Sequence, residues 1–124
     1  MMLSLVSRDA LASIDTVIDA SARVSGNFHS TGAAGIRVDG RFKGSICLGP
    51  DSIVFISKDA VVEDAELCAD VVVVAGYVKG KVTARKAFEA IDAAHVRGAV
   101  ECQGRLCLHP GSKMDALLSV SPSH

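Results

Sequence analysis

Phe42-Lys43-Gly44-Ser45-Ile46 and Val78-Lys79-Gly80-Lys81-Val82 are two copies of one pattern: apolar, any, Gly, any, apolar. Val24-Ser25-Gly26-Asn27-Phe28 and Val96-Arg97-Gly98-Ala99-Val100 repeat it, and a worn copy, Met114-Asp115-Ala116-Leu117-Leu118, follows last. Gly26 and Gly44 are 18 positions apart, as are Gly80 and Gly98, and Ala116 lies 18 beyond Gly98. Gly44 and Gly80 are 36 apart, two such periods. The intervening copy falls on Val62-Glu63-Asp64-Ala65-Glu66-Leu67, which lacks the glycine and is one residue longer. An extra residue absorbed as a bulge is the expectation there.

A second apolar pair precedes most copies: Ile36/Val38, Val54/Ile56, Val72/Val74, Phe88/Ala90 and Leu106/Leu108. Alternation with Arg37, Phe55, Val73, Glu89 and Cys107 places each pair on one face of a short strand. Corners such as Asp39-Gly40, Gly49-Pro50-Asp51-Ser52, Ala75-Gly76 and His109-Pro110-Gly111 separate the strands. Short strands recurring every ~18 residues with no helices between them make a coil. Its turns lie about 4.8 Å apart. Inward residues then stack in columns: Val24, Phe42, Val62, Val78, Val96, Met114, and Phe28, Ile46, Leu67, Val82, Val100, Leu118. The fold expected is all-β, a single parallel β-helix of about six turns with roughly 18 residues each. Its central glycines serve a close backbone approach or a bend rather than a phosphate, since no strand–loop–helix context surrounds them.

Composition agrees. Of 124 residues, 49% are apolar, yet there is no Trp, one Tyr and four Phe, so Val, Ile, Leu and Ala must fill a narrow core. The 13 basic and 14 acidic side chains leave a net charge of −1, with no overall pull toward nucleic acid. No apolar run approaches the ~20 residues of a spanning helix. Met1-Met2-Leu3-Ser4-Leu5-Val6 meets Arg8-Asp9 with no basic stretch ahead of it, a poor secretory signal. The expectation is a cytoplasmic protein with its four cysteines reduced.

The segments Ile36-Arg37-Val38-Asp39-Gly40-Arg41-Phe42-Lys43-Gly44-Ser45-Ile46 and Val72-Val73-Val74-Ala75-Gly76-Tyr77-Val78-Lys79-Gly80-Lys81-Val82-Thr83-Ala84 closely resemble the bactofilins, bacterial polymer-forming cytoskeletal proteins. The resemblance runs from about Thr16 to Leu118 and departs from the family pattern at Asp64, where glycine is expected. It implies a right-handed β-helix whose subunits stack end to end into filaments without nucleotide. It also implies association with the inner face of the membrane and a scaffold role for cell-shape and envelope or cell-wall proteins. The organisation expected is a tail over 1–15, a β-helix domain over 16–118 and a short tail over 119–124.

Physics supplies a separate reason to polymerise. A coil has two open ends, each with unpaired backbone groups and an apolar cross-section, which monomeric solenoids cap. The first turn here carries Val17, Ile18, Val24 and Phe28, and the last carries Leu106, Leu108, Met114, Leu117 and Leu118. These nine residues are the candidate polymerisation interface. Leu3, Val6, Ala10 and Ile14 fall at helical spacing, so residues 2–15 form either a short amphipathic helix or a flexible tail. Met1, Met2, Leu3, Leu5 and Val6 are candidate membrane contacts, although residues 1–19 carry one Arg against three Asp, the wrong balance for anionic lipid.

Nothing points to catalysis, a cofactor or a metal. Cys47, Cys68, Cys102 and Cys107 contain no CxxC pair, and Cys47 and Cys68 are expected to stack on adjacent turns as packed or half-exposed thiols. His29, His95 and His109 occupy three different registers, and His124 lies in the tail, so the imidazoles do not converge on one metal. The alternatives to a filament scaffold are a hexapeptide-type β-helix enzyme, an acyltransferase or carbonic anhydrase-like trimer, and a monomeric binding solenoid. The missing His cluster argues against the first and the apolar ends against the second.

Overall fold

The computed structural model describes residues 16–29, 35–91 and 94–120. The helix-or-tail reading of 1–15, with the membrane candidates Met1, Met2, Leu3, Leu5 and Val6, and His124 lie outside the described residues. The strands are β1 (Thr16–Ile18), β2 (Arg23–His29), β3 (Gly35–Val38), β4 (Arg41–Cys47), β5 (Ile53–Ile56), β6 (Val61–Val74), β7 (Tyr77–Ala90), β8 (His95–Cys102), β9 (Arg105–Leu108) and β10 (Lys113–Val120). Every strand pair is parallel and all ten strands share one sheet, wound into a β-solenoid. No described residue is helical.

Two stacks of rungs make the wall. One runs β1, β3, β5, β6, β7, β9 and the other β2, β4, β6, β7, β8, β10, with the long strands β6 and β7 passing through both. Six repeats are therefore six rungs, and the path from the first rung to the last is about five turns. The registers match the sequence columns. Val24, Phe42, Val62, Val78, Val96 and Met114 are consecutive partners, as are Phe28, Ile46, Leu67, Val82, Val100 and Leu118. The apolar pairs from Ile36/Val38 to Leu106/Leu108 stack likewise.

The repeated glycine takes a positive φ at Gly26, Gly44, Gly80 and Gly98. Phe42 and Ile46, four residues apart, both face inward as period-two alternation requires, and Gly44 between them has φ 132°. L side chains rarely adopt this conformation, and a Cβ on Gly44 would also collide with the Gly26 carbonyl of the preceding rung. The copy without glycine bends by a bulge. Lys43 pairs with Glu63 and Ser45 with Glu66, so Gly44 faces two residues, and Asp64 takes a left-handed φ of 48°. Asp is one of the few residue types that tolerates that region.

The interior is aliphatic, with Phe42 and Phe88 its largest fully buried apolar side chains. One corner is polar. Ala69 pairs with Ala84 and Val71 with Ala87, so buried Asp70 lies opposite both Arg85 and Lys86. Arg85 Nε donates to Asp70 Oδ1 at 2.7 Å, and Arg85 Nη2 donates to the Leu48 and Gly49 carbonyls at 2.6 and 2.8 Å. The Asp51 amide donates to Asp70 Oδ2 at 2.6 Å, and Lys86 Nζ lies 3.5 Å from the same oxygen. Burial pushes the Asp70 carboxyl up. The hydrogen bonds from Arg85 and Asp51 and the charges of Arg85 and Lys86 outweigh burial and hold it below the ordinary carboxylate range. Three successive turns are clamped at this corner.

Candidate functional site

The ends of the coil are its exceptional surfaces. β1 pairs with β3 alone, β2 with β4, β9 with β7 and β10 with β8, so each terminal rung leaves one edge of backbone donors and acceptors open among the described residues. The exposed large apolar side chains are Val17 at 58%, Leu108 at 40%, Leu117 at 80%, Leu118 at 42% and Val120 at 46%. All five belong to the first or last rung. Intervening rungs, enclosed on both sides, expose none among the described residues.

The candidate interface residues divide by depth. Val17, Leu108, Leu117 and Leu118 are exposed; Val24, Phe28, Leu106 and Met114 are half-buried against the core; Ile18 is buried and offers little surface. At the N-terminal end the Phe28 ring packs on Phe42 with centroids 5.8 Å apart, and the space beyond Gly26 is open. At the C-terminal end Ala116 occupies the glycine position without a positive φ, and β10 follows β8 over eight residues. That strand includes Ser119 and Val120, so the coil runs past Leu118 and adds Val120 to the apolar end. Period-two alternation from Leu118 was the signal for it. His95 Nε2 and Asp115 Oδ2 lie 2.9 Å apart on this end, and the histidine holds the Asp115 carboxyl below its ordinary value.

The remaining chemistry-bearing residues are scattered along the coil. His29 pairs with Cys47 and Cys47 with Cys68, the stacking expected from the repeat; neither thiol is disulfide-bonded. Burial pushes the Cys68 thiol up, and Arg85 Nη1 donates to its sulfur at 3.1 Å. His109 Nε2 meets the buried Glu89 carboxylate at 2.8 Å. Glu89, Cys107 and His109 bring one ligand atom each to within 4.8 Å of one another, a donor set that suits a borderline cation. The 18-residue period stacks Glu89 with Cys107 in one outward column, and the fold adds His109 to them. Arg23, Arg41, Lys43, Glu63 and Asp64 line a shallow groove of about 450 Å³ beside the first three rungs, of mixed charge.

A family model described as bactofilin, polymer-forming cytoskeletal, matches residues 16–119. No curated protein and no solved structure gives a significant match to the chain. No helix among the described residues is long and apolar enough to cross a membrane.

Proposed function

Because the chain belongs to the bactofilin family of polymer-forming cytoskeletal proteins, we propose that it polymerises end to end through the terminal rungs of its coil, without nucleotide. The observation that carries this reading is that, among the described residues, exposed large apolar side chains are confined to Val17 at one end and Leu108, Leu117, Leu118 and Val120 at the other. Stacking a second coil on either end removes that surface from water and gives the open backbone edge a partner. Nucleotide has no part in this scheme, since burial of apolar area and edge pairing drive it.

The resulting filament is a scaffold for cell-shape or envelope-building proteins at the inner membrane surface, and not an enzyme. Support for a non-catalytic role comes from the histidines: His95 and His109 each contact a carboxylate, on different sides of the coil, and His29 stands on the first rung beside Cys47. Membrane contact, where it occurs, runs through Met1, Met2, Leu3, Leu5 and Val6. Negative-stain electron microscopy of the purified full chain without nucleotide tests the proposal. Filaments one coil wide are expected; discrete trimers would favour a hexapeptide-type enzyme, and monodisperse monomers a binding module.

A further inference from the structure

Glu89 is a fully buried carboxylate near the end of β7, and alternation with the inward Phe88 and Ala90 turns it away from the aliphatic core. An ionised carboxylate is costly to bury unless it is paired or bound to a metal. Its register partner on the next rung is Cys107. β9 ends at Leu108, so His109 is the first residue of the corner beyond. His109 Nε2 stands 2.8 Å from Glu89 Oε2, and the Cys107 sulfur lies within 4.8 Å of the ligand atoms of both. The corner holds His109 by its backbone. Its amide donates to the Ala90 carbonyl at 2.9 Å, and the Ser112 amide and hydroxyl donate to its carbonyl at 3.0 and 2.6 Å. Val73, the register partner of Glu89 on β6, is fully buried and Ile91 nearly so, which makes one side of the group apolar. Cys107 and His109 are half-buried and leave an approach from solvent.

We propose that Glu89, Cys107 and His109 bind a zinc ion that staples the last rung of this stack to the one beneath it. The donor set selects the metal. Thiolate and imidazole suit zinc, whereas calcium and magnesium take oxygen ligands. Charge agrees. Carboxylate and thiolate together balance a divalent cation and the neutral imidazole adds nothing, so the loaded group carries no net charge into its apolar setting. Geometry agrees as well. Bonds of about 2.0–2.3 Å to a tetrahedral ion put the donor atoms about 3.3–3.6 Å apart. The Glu89–His109 contact of 2.8 Å must therefore open by ~0.5 Å, and the Cys107 sulfur must close by no more than ~1.5 Å from its 4.8 Å limit. Side-chain rotation covers both. Binding releases the thiol proton to water, and a water molecule completes the fourth position. Among the described strands β9 pairs with β7 alone, so an ion held by Glu89 on one side and by Cys107 and His109 on the other adds a second tie to that ladder.

The test uses the full chain, stripped of metal with a chelator and titrated with zinc or cobalt(II) salts. Equilibrium dialysis should find one zinc per chain, with affinity lowered at least ~100-fold by Cys107→Ser or His109→Gln and unchanged by Cys47→Ser. Cobalt(II) gives a readout of the sulfur itself. Its thiolate charge-transfer band should appear in the wild-type chain and in Cys47→Ser, and vanish in Cys107→Ser. A band that survives Cys107→Ser, or no band in the wild type, would overturn the proposal. Maleimide labelling of the wild-type chain, read peptide by peptide in mass spectra, needs no variant to fold. Zinc should slow Cys107 at least ~10-fold and leave exposed Cys47 as it was, because a coordinated thiolate is no longer free to attack. Equal slowing of the two thiols would assign the metal to adventitious sites and overturn the proposal, as would an unchanged Cys107 rate.

Discussion

Replacing Leu117 and Leu118 together with Lys attacks the C-terminal end where it is most exposed and least needed for folding. Full burial of a leucine is worth about 1.5–3 kcal/mol. Leu117 is 80% and Leu118 42% exposed in the single chain. Capping the end by another coil thus gains about 3 kcal/mol from the two side chains together. Substitution forfeits that gain and adds the cost of desolvating two ammonium groups. At ~1.4 kcal/mol per factor of ten, the critical concentration for assembly should rise at least ~100-fold. The monomer should lose only about 1 kcal/mol, the buried share of Leu118. Sedimentation across a concentration series gives the critical concentration, and circular dichroism with thermal melting gives the monomer's integrity. An unchanged critical concentration in a natively folded double variant would refute the assignment of this end to the interface.

Leu108→Glu, on the neighbouring terminal strand, should likewise leave folded protein with few filaments by microscopy, and filaments that persist with it and with charged Leu118 would remove the C-terminal end from the contact. Gly44→Ala should cost at least about 1–3 kcal/mol for the backbone conformation alone, and more because the methyl meets the Gly26 carbonyl; soluble yield and denaturant midpoint report it. Gly26→Ala meets open space in the monomer and should show only the conformational cost, so its midpoint should fall less. Asp70→Ala strands the Arg85 guanidinium at a half-buried corner and should lose about 3 kcal/mol by urea unfolding. The Asp70 carboxyl is held below its ordinary value in the folded chain. Its contribution is therefore complete above the unfolded value near ~3.9 and lost as pH falls through the lower folded value. Acid unfolding curves of wild type and Asp70→Asn should converge at the acid end, and parallel curves would contradict this. Phe88→Ala, in the column beside Ala90, should cost about 3–5 kcal/mol as a core cavity.

The sequence by itself determined the wall. Each inward column was legible because parallel rungs repeat the same backbone positions, so an 18-residue period in apolar residues is a register. Even the irregular turn was readable: the surplus residue near Asp64 announced a bulge, and its left-handed φ is what an aspartate in place of glycine can supply. Tertiary structure decided what happens at the corners and outside the wall. Asp70 and Arg85 meet because β7 carries one more residue than β6 at that corner, and His109 joins Glu89 and Cys107 across a turn whose length no period predicts. The outer columns show the same limit. Phe55 and Val73 read as outward residues, and they are, yet Val73 is fully buried in an apolar cluster separate from the interior core. Periodicity follows from the hydrogen-bonded ladder and survives in the sequence. Contacts that depend on corner lengths leave no repeat to read. The ends combine the two: apolar terminal rungs are visible in the chain, but only the folded coil shows that Leu117, Leu118 and Val120 stand in water while nearly every apolar residue between the ends is enclosed.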